Sequence, residues 1–320
     1  MSARWTLRRL VQRLPSVRAV TEDASPLPLQ PSAGDAAPPH LIDADIVEDA
    51  TFRPRKVPGA PLLTLAGFLD GAQESRVLGW SGAAPIVHGR VSAVIRSRVE
   101  RRLRVWGRPR VRQRLYAPLA FTPAAALRRA FPAGFLCDTS APDANGVPPS
   151  HHPVALLERA QAEVALDRER VERALAEEWC ETENQPLLVD GGISGSEQVA
   201  RSPWAIGVVK SHRSLYVSGD ALLAVLAMRR GERSSVVRIA PRGRERVDSW
   251  YLRLRDADGR GALFGLVRIE VATTEAPGAR ADEVSRWVLA ERSPVALPDP
   301  RWDVMSYGVR GCEEFLRAIR

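Results

Sequence analysis

Apolar and polar residues alternate between two periods along the chain, and the switches predict both strands and helices. Leu62–Leu69 is a short apolar run, LLTLAGFL, that ends in Asp70-Gly71. Ser75–Trp80 and Pro85–Ile95 follow, so three strands are expected in hairpin succession, with Gly and Pro at the breaks. Residues 116–150 carry Pro and Gly throughout and predict no clear element. From His152 to Trp179 the residues Leu157, Val164, Val171, Leu175 and Trp179 keep a helical period, which predicts one long helix. A second apolar run, Pro186–Val189, closes on Asp190-Gly191-Gly192. Strands are then expected at Trp204–Lys210, Ser214–Val217, Ser234–Ala240, Ser249–Arg255 and Leu263–Val271, and helices at Leu222–Arg230, Asp282–Glu291 and Cys312–Ile319. Hairpin strands, a long helix and further strands predict an α/β fold with a mixed sheet flanked by helices.

The first 58 residues break this pattern. Leu7, Leu10, Val11 and Leu14 fall at helical spacing in a basic start, which reads as an ordered or docking helix or as a transit peptide. Ser25–Pro39 is rich in Pro and Ala and reads as a linker or surface arm. The expected organisation is therefore an N-terminal arm over 1–58 and one folded domain over 59–320.

Composition adds a direction. Of 320 residues, 46 are Lys or Arg and 38 Asp or Glu, a net charge of +8. Excess cation favours a polyanionic partner, nucleic acid or an anionic membrane surface, although arginine-rich coding gives the same number without a functional cause. Cys137, Cys180 and Cys312 are far apart and form no CxxC pair, so neither a zinc ribbon nor a disulfide framework is supported and a reducing, cytoplasmic setting is expected. No apolar run approaches the roughly 20 residues of a membrane span, so no membrane association is expected.

Nucleotide-binding loops and the serine nucleophile elbow are absent; Gly207-Val-Val-Lys210-Ser211 lacks the first glycine and the length of a phosphate-binding loop. What remains is a pair of carboxylates at expected strand ends, Asp70 and Asp190, each followed by Gly. Asp-Gly is first of all a turn dipeptide. Two such carboxylates on neighbouring strands also suit a hard divalent cation, Mn²⁺ or Mg²⁺, of the kind that drives phosphodiester cleavage. Arg96–Arg114 is dense in arginine, with Trp106 and Tyr116 among them; it reads as a nucleic-acid surface or as a solvated face.

The order of these features resembles the NurA family of nucleases, which have an RNase H-like fold. Phe68-Leu-Asp70-Gly-Ala-Gln73 matches the family's first aspartate motif, with Ala where Ser is usual. Leu187-Leu-Val-Asp190-Gly-Gly-Ile193 matches the second, and Gly207-Val-Val-Lys210 the Gly…Lys strand that follows. The resemblance spans roughly 60–320. It implies an RNase H-like mixed sheet with a basic insertion, and metal-dependent exonuclease and single-strand endonuclease action on DNA in repair or defence. A homodimer and a HerA-type hexameric ATPase partner are implied as well. Asp70, Asp190 and a helix glutamate would hold the metal, with Lys210 and Tyr307 catalytic. The family's histidine near the C-terminus has no match, since no histidine follows His212; Arg310 is the candidate to contact phosphate in its place. Arg96, Arg98, Arg102 and Arg104 are the other expected DNA contacts.

The helix glutamate is chosen by face. Glu172 and Glu178 border the apolar stripe of the long helix, whereas Glu163, Glu169 and Glu177 lie farther round it. Glu178 sits near the helix end, where a solvated role is easier, so Glu172 is preferred; pairing with Arg168 is its bland alternative. A non-catalytic reading stands beside the nuclease: a basic adaptor that binds nucleic acid or a motor ATPase.

Overall fold

The structure, a computed structural model, describes residues 13–14, 17–19, 38–142, 146–148, 150–240, 243–292 and 301–319. Strands of three or more residues are β1 Gly67–Ser81, β2 Ala84–Val99, β3 Arg102–Ala117, β4 Leu136–Asp138, β5 Leu187–Asp190, β6 Ala205–Val209, β7 Val237–Ile239, β8 Val247–Arg253 and β9 Leu266–Val271. The helices are α1 Ala124–Ala130, α2 Pro153–Thr182, α3 Glu197–Arg201, α4 Gly219–Ala227, α5 Pro277–Glu291 and α6 Tyr307–Ala318. The protein is thus mixed α/β. None of the helices among the described residues is long and apolar enough to cross a membrane.

The chain divides into two compact units. One holds Ala37–Asp70, Val94–Pro109 and Glu172–Arg320; the other holds Gly71–Ala93, Arg110–Val171 and the described part of Met1–Ala36. In the first unit the sheet order is β7-β8-β9-β6-β5, then the start of β1, the end of β2 and the start of β3. β5 runs parallel to β1 and to β6, while β9 pairs antiparallel with β6 and β8. β5 is short and apolar, and β8 and β9 are buried along their whole lengths, as strands covered on both faces must be. Polar groups inside β8 are paired: Trp250 Nε1 donates to Ser285 Oγ at 2.9 Å, and the Tyr216 amide donates to the Tyr251 hydroxyl at 2.8 Å. Arg233, almost wholly buried, is matched by Glu48 and Asp282.

In the second unit β4 runs parallel to the end of β3, and Arg18–Ala19 pairs with Gly79–Trp80 near the end of β1. Leu14 is buried among Ile86, Leu115, Ala117, Leu119, Leu127 and Phe131. Leu14, one residue of the expected amphipathic stripe, therefore has a place in this core. The rest of the expected amphipathic start and most of the Pro/Ala-rich stretch lie outside the described residues.

Several expectations change: residues 116–150 hold α1 and β4, and α5 begins at Pro277, five residues before the expected start. Asp70 does not end a strand: it is the fourth residue of β1, which continues to Ser81. The Asp70-Gly71 step stays extended, because alternate residues such as Val77 go on finding burial beyond it. The basic stretch is no insertion but a hairpin, the end of β2 and nearly all of β3 joined by Glu100 and Arg101 at φ 50° and 64°. Its arginines alternate with Leu103, Val105, Pro109 and Val111, a strand pattern that charge density conceals. Finally, α6 begins at Tyr307, five residues before the expected start.

Candidate functional site

The site forms in the first unit, where β1 and β5 lie side by side. Their register pairs Gly67 with Leu187, Phe68 with Leu188 and Leu69 with Val189. One step further brings Asp70 beside Asp190, on strands spaced about 4.8 Å apart. β6 continues the arrangement: Val208 pairs with Asp190, and Lys210, two residues on, returns to the same face. Lys210 Nζ stands 2.7 Å from Asp190 Oδ1. Gly191 follows at φ 140°, a conformation few side chains adopt, and turns the chain away from the strand end.

Close packing delivers α6 to this site. A Cβ on Gly308 would lie 2.2 Å from the Phe68 ring, and one on Gly311 would lie 2.6 Å from Leu103. The two glycines, three apart on one helix face, let α6 lie directly on β1 and β3. Cys312 Sγ then donates to the Phe68 carbonyl at 3.1 Å. Phe68 and Asp70 share a strand face, so Asp70 points to the side that carries α6.

Asp70 is 7% exposed. Burial pushes its carboxyl well above the usual carboxylate range; the charge of Asp190 adds to this, Lys210 opposes it, and Glu172 and Glu313 push it further up. Glu172 and Glu313 are thus within electrostatic reach of Asp70, together with Asp190 and Lys210. The Cys312 thiol is also pushed up, by burial first and by Asp70 next. Glu313 was not foreseen. Its signal was present in Gly308-Val-Arg-Gly-Cys-Glu313, where paired glycines mark a close helix contact, but sequence alone does not say against what. Glu313 accepts from Arg301 at 2.7 Å. On α2, Arg168 donates to Gln73 at 3.0 Å, and Glu177 accepts from Ser196 at 2.6 Å.

The other expected residues separate. Tyr307 is 57% exposed and, with Arg96, Arg102 and Arg310, lines a cleft of about 460 Å³. Arg104 is exposed on β3. Arg98 is turned inward: it makes paired 2.7 Å bonds to the buried Glu291, donates to the Leu65 carbonyl at 3.0 Å and lies over the Phe68 ring. This engagement gives it a packing role and leaves it poorly placed for phosphate. Trp106 packs edge-on against Trp179 and donates to Glu183 at 2.9 Å, and Tyr116 is buried against Asp167. Tyr116 therefore offers no face to a base, whereas Trp106 is held by these contacts and stays partly exposed.

One buried aspartate with three further acids within electrostatic reach fits a hard divalent cation in donor chemistry. As placed, no three His, Cys, Asp or Glu side chains among the described residues share one ion position, so a cation would require some of them to turn. Compared with models of known protein families, the chain matches none, and no curated protein matches its sequence.

Proposed function

We propose that the protein is a divalent-metal-dependent deoxyribonuclease of NurA type with an RNase H-like sheet. One observation carries the reading: Asp70 is buried beside Asp190 and within electrostatic reach of Glu172 and Glu313, with Lys210 on Asp190. Clustered carboxylates in a buried setting are costly without a cation to neutralise them, and such cost is characteristic of functional sites. The topology is in keeping. Three consecutive strands in hairpin connection, a long helix, then two strands laid parallel beside the first is the succession an RNase H-like sheet has.

Asp70, Asp190 and Glu172 would hold the cation, which supplies charge stabilisation and an activated water for phosphodiester hydrolysis. Burial and the neighbouring acids raise the pKa of Asp70, so a cation held there would compete with a proton for its carboxylate. Lys210 pairs with Asp190 and would supply a cation to a phosphate oxygen of the substrate. A ring-forming ATPase of HerA type and a second copy of the chain are the partners this reading carries.

One observation favours the adaptor reading. Lys210 already supplies a positive charge at Asp190, 2.7 Å away, as a lysine replacing a metal would. Digestion of end-labelled single- and double-stranded DNA with Mn²⁺ or Mg²⁺, with and without EDTA, separates the two. Chelator-sensitive cutting that is lost in Asp70→Asn supports the nuclease. DNA binding without cutting in either metal supports the adaptor and overturns the nuclease.

A further inference from the structure

The arginine cleft is built differently from the carboxylate site. Its walls are the tip of the β2–β3 hairpin and the first turns of α6, and it brings together Arg96, Arg101, Arg102 and Arg310 against a single acid, Glu314. Glu314 accepts from Arg310 Nε at 2.9 Å. That leaves Arg310 Nη1 and Arg96 Nε buried with no hydrogen-bond partner among the described residues. Buried guanidinium hydrogens without acceptors are costly. They leave this wall of the cleft electropositive, so an anion seated against Arg101, Arg102 and Arg310 is favoured.

Shape narrows the anion. About 460 Å³ is within the range of a small-ligand pocket and leaves room for one nucleotide. An internal phosphodiester brings one negative charge. A phosphomonoester brings roughly −1.5 to −2 and three acceptor oxygens, which suits several guanidiniums at once. Tyr307, 57% exposed on the rim, offers a face on which the attached base can stack.

The hairpin tip supports a selected role. Glu100 and Arg101 both have positive φ, which a two-residue hairpin turn usually assigns to Asn and Gly. An arginine kept in that strained place, at the edge of a cationic cleft, points to use of its side chain.

We propose that this cleft binds the phosphomonoester end of a nucleic-acid strand. The inference rests on the nuclease reading for the polymer, but not for the phosphate. The test is fluorescence anisotropy in EDTA on the full chain. The probes are one short single-stranded DNA in three forms: 5′-phosphorylated, 3′-phosphorylated and unphosphorylated. The expected result is about tenfold tighter binding of one phosphorylated form, the scale of one charge-assisted contact set. Arg310→Gln should erase that preference. So should the paired change Glu100→Asn with Arg101→Gly, which installs a favourable turn and keeps the hairpin folded. Equal affinity for the three forms, no binding of any, or a preference unchanged in both variants overturns the proposal. EDTA is present throughout, so failure to cut DNA leaves this readout intact and the two readings fail separately.

Discussion

At the scale of single residues, burial decides which charges fold the chain and which are held for use. Arg98 and Glu291 illustrate the first kind. Glu291 is buried and Arg98 mostly so, and Glu291→Ala leaves the guanidinium only its bond to the Leu65 carbonyl; the change should cost about 2–4 kcal/mol in chemical denaturation. Asp167 is another. Burial raises its carboxyl, but bonds from Arg170 and Tyr116 and the charges of Arg114 and Arg112 outweigh this and hold it low. A depressed folded pKa means stability that is present above the ordinary value of 3.8 and is lost as pH falls through the folded one. The stability difference between wild type and Asp167→Asn should therefore shrink as pH falls below about 4, as read by thermal melts across an acid series. Asp70 behaves in the opposite sense. Its raised pKa marks a charge the metal-free fold resists, so Asp70→Asn should melt no lower than wild type without metal, and higher by about 2–4 °C per kcal/mol of repulsion relieved. A clear fall in melting temperature would make Asp70 a structural residue.

Elements set how much of this was legible beforehand. The long helix was plain, because its apolar residues repeat across many turns; it runs Pro153–Thr182. Asp70-Gly71 read as a strand end because the dipeptide favours turns, yet nothing local shows that β1 continues to Ser81; tertiary burial settles that. The charge-dense hairpin misled in the same way, since its strand pattern lies under arginines exposed on one side. Glu313 escaped notice because its position depends on α6 packing through Gly308 and Gly311, a contact between segments far apart in sequence. That packing is itself testable. Phe68 is fully buried and has no room to yield, so Gly308→Ala should cost about 1–3 kcal/mol by overpacking. The same change should weaken any metal-dependent cutting, because it lifts Glu313 and Arg310 with the helix. Unchanged stability would show that α6 sits less tightly on β1 than its glycines require.

For the whole molecule, the charge of +8 is unevenly informative. Several arginines that contribute to it, such as Arg98, Arg233 and Arg268, are locked to buried acids, so net charge alone overstates the surface available to nucleic acid. The more specific features are local: an acidic group at the β1–β5 boundary and an arginine cleft on α6. The account stands or falls on the acidic group being a cation site. Titration calorimetry with Mn²⁺ on the wild-type chain and on Asp70→Asn, Glu172→Gln and Asp190→Asn measures this directly. The account predicts saturable binding to wild type and affinity at least tenfold weaker, about 1.4 kcal/mol, in each variant. Indistinguishable Mn²⁺ affinity across all four proteins, or no binding to wild type, would contradict it.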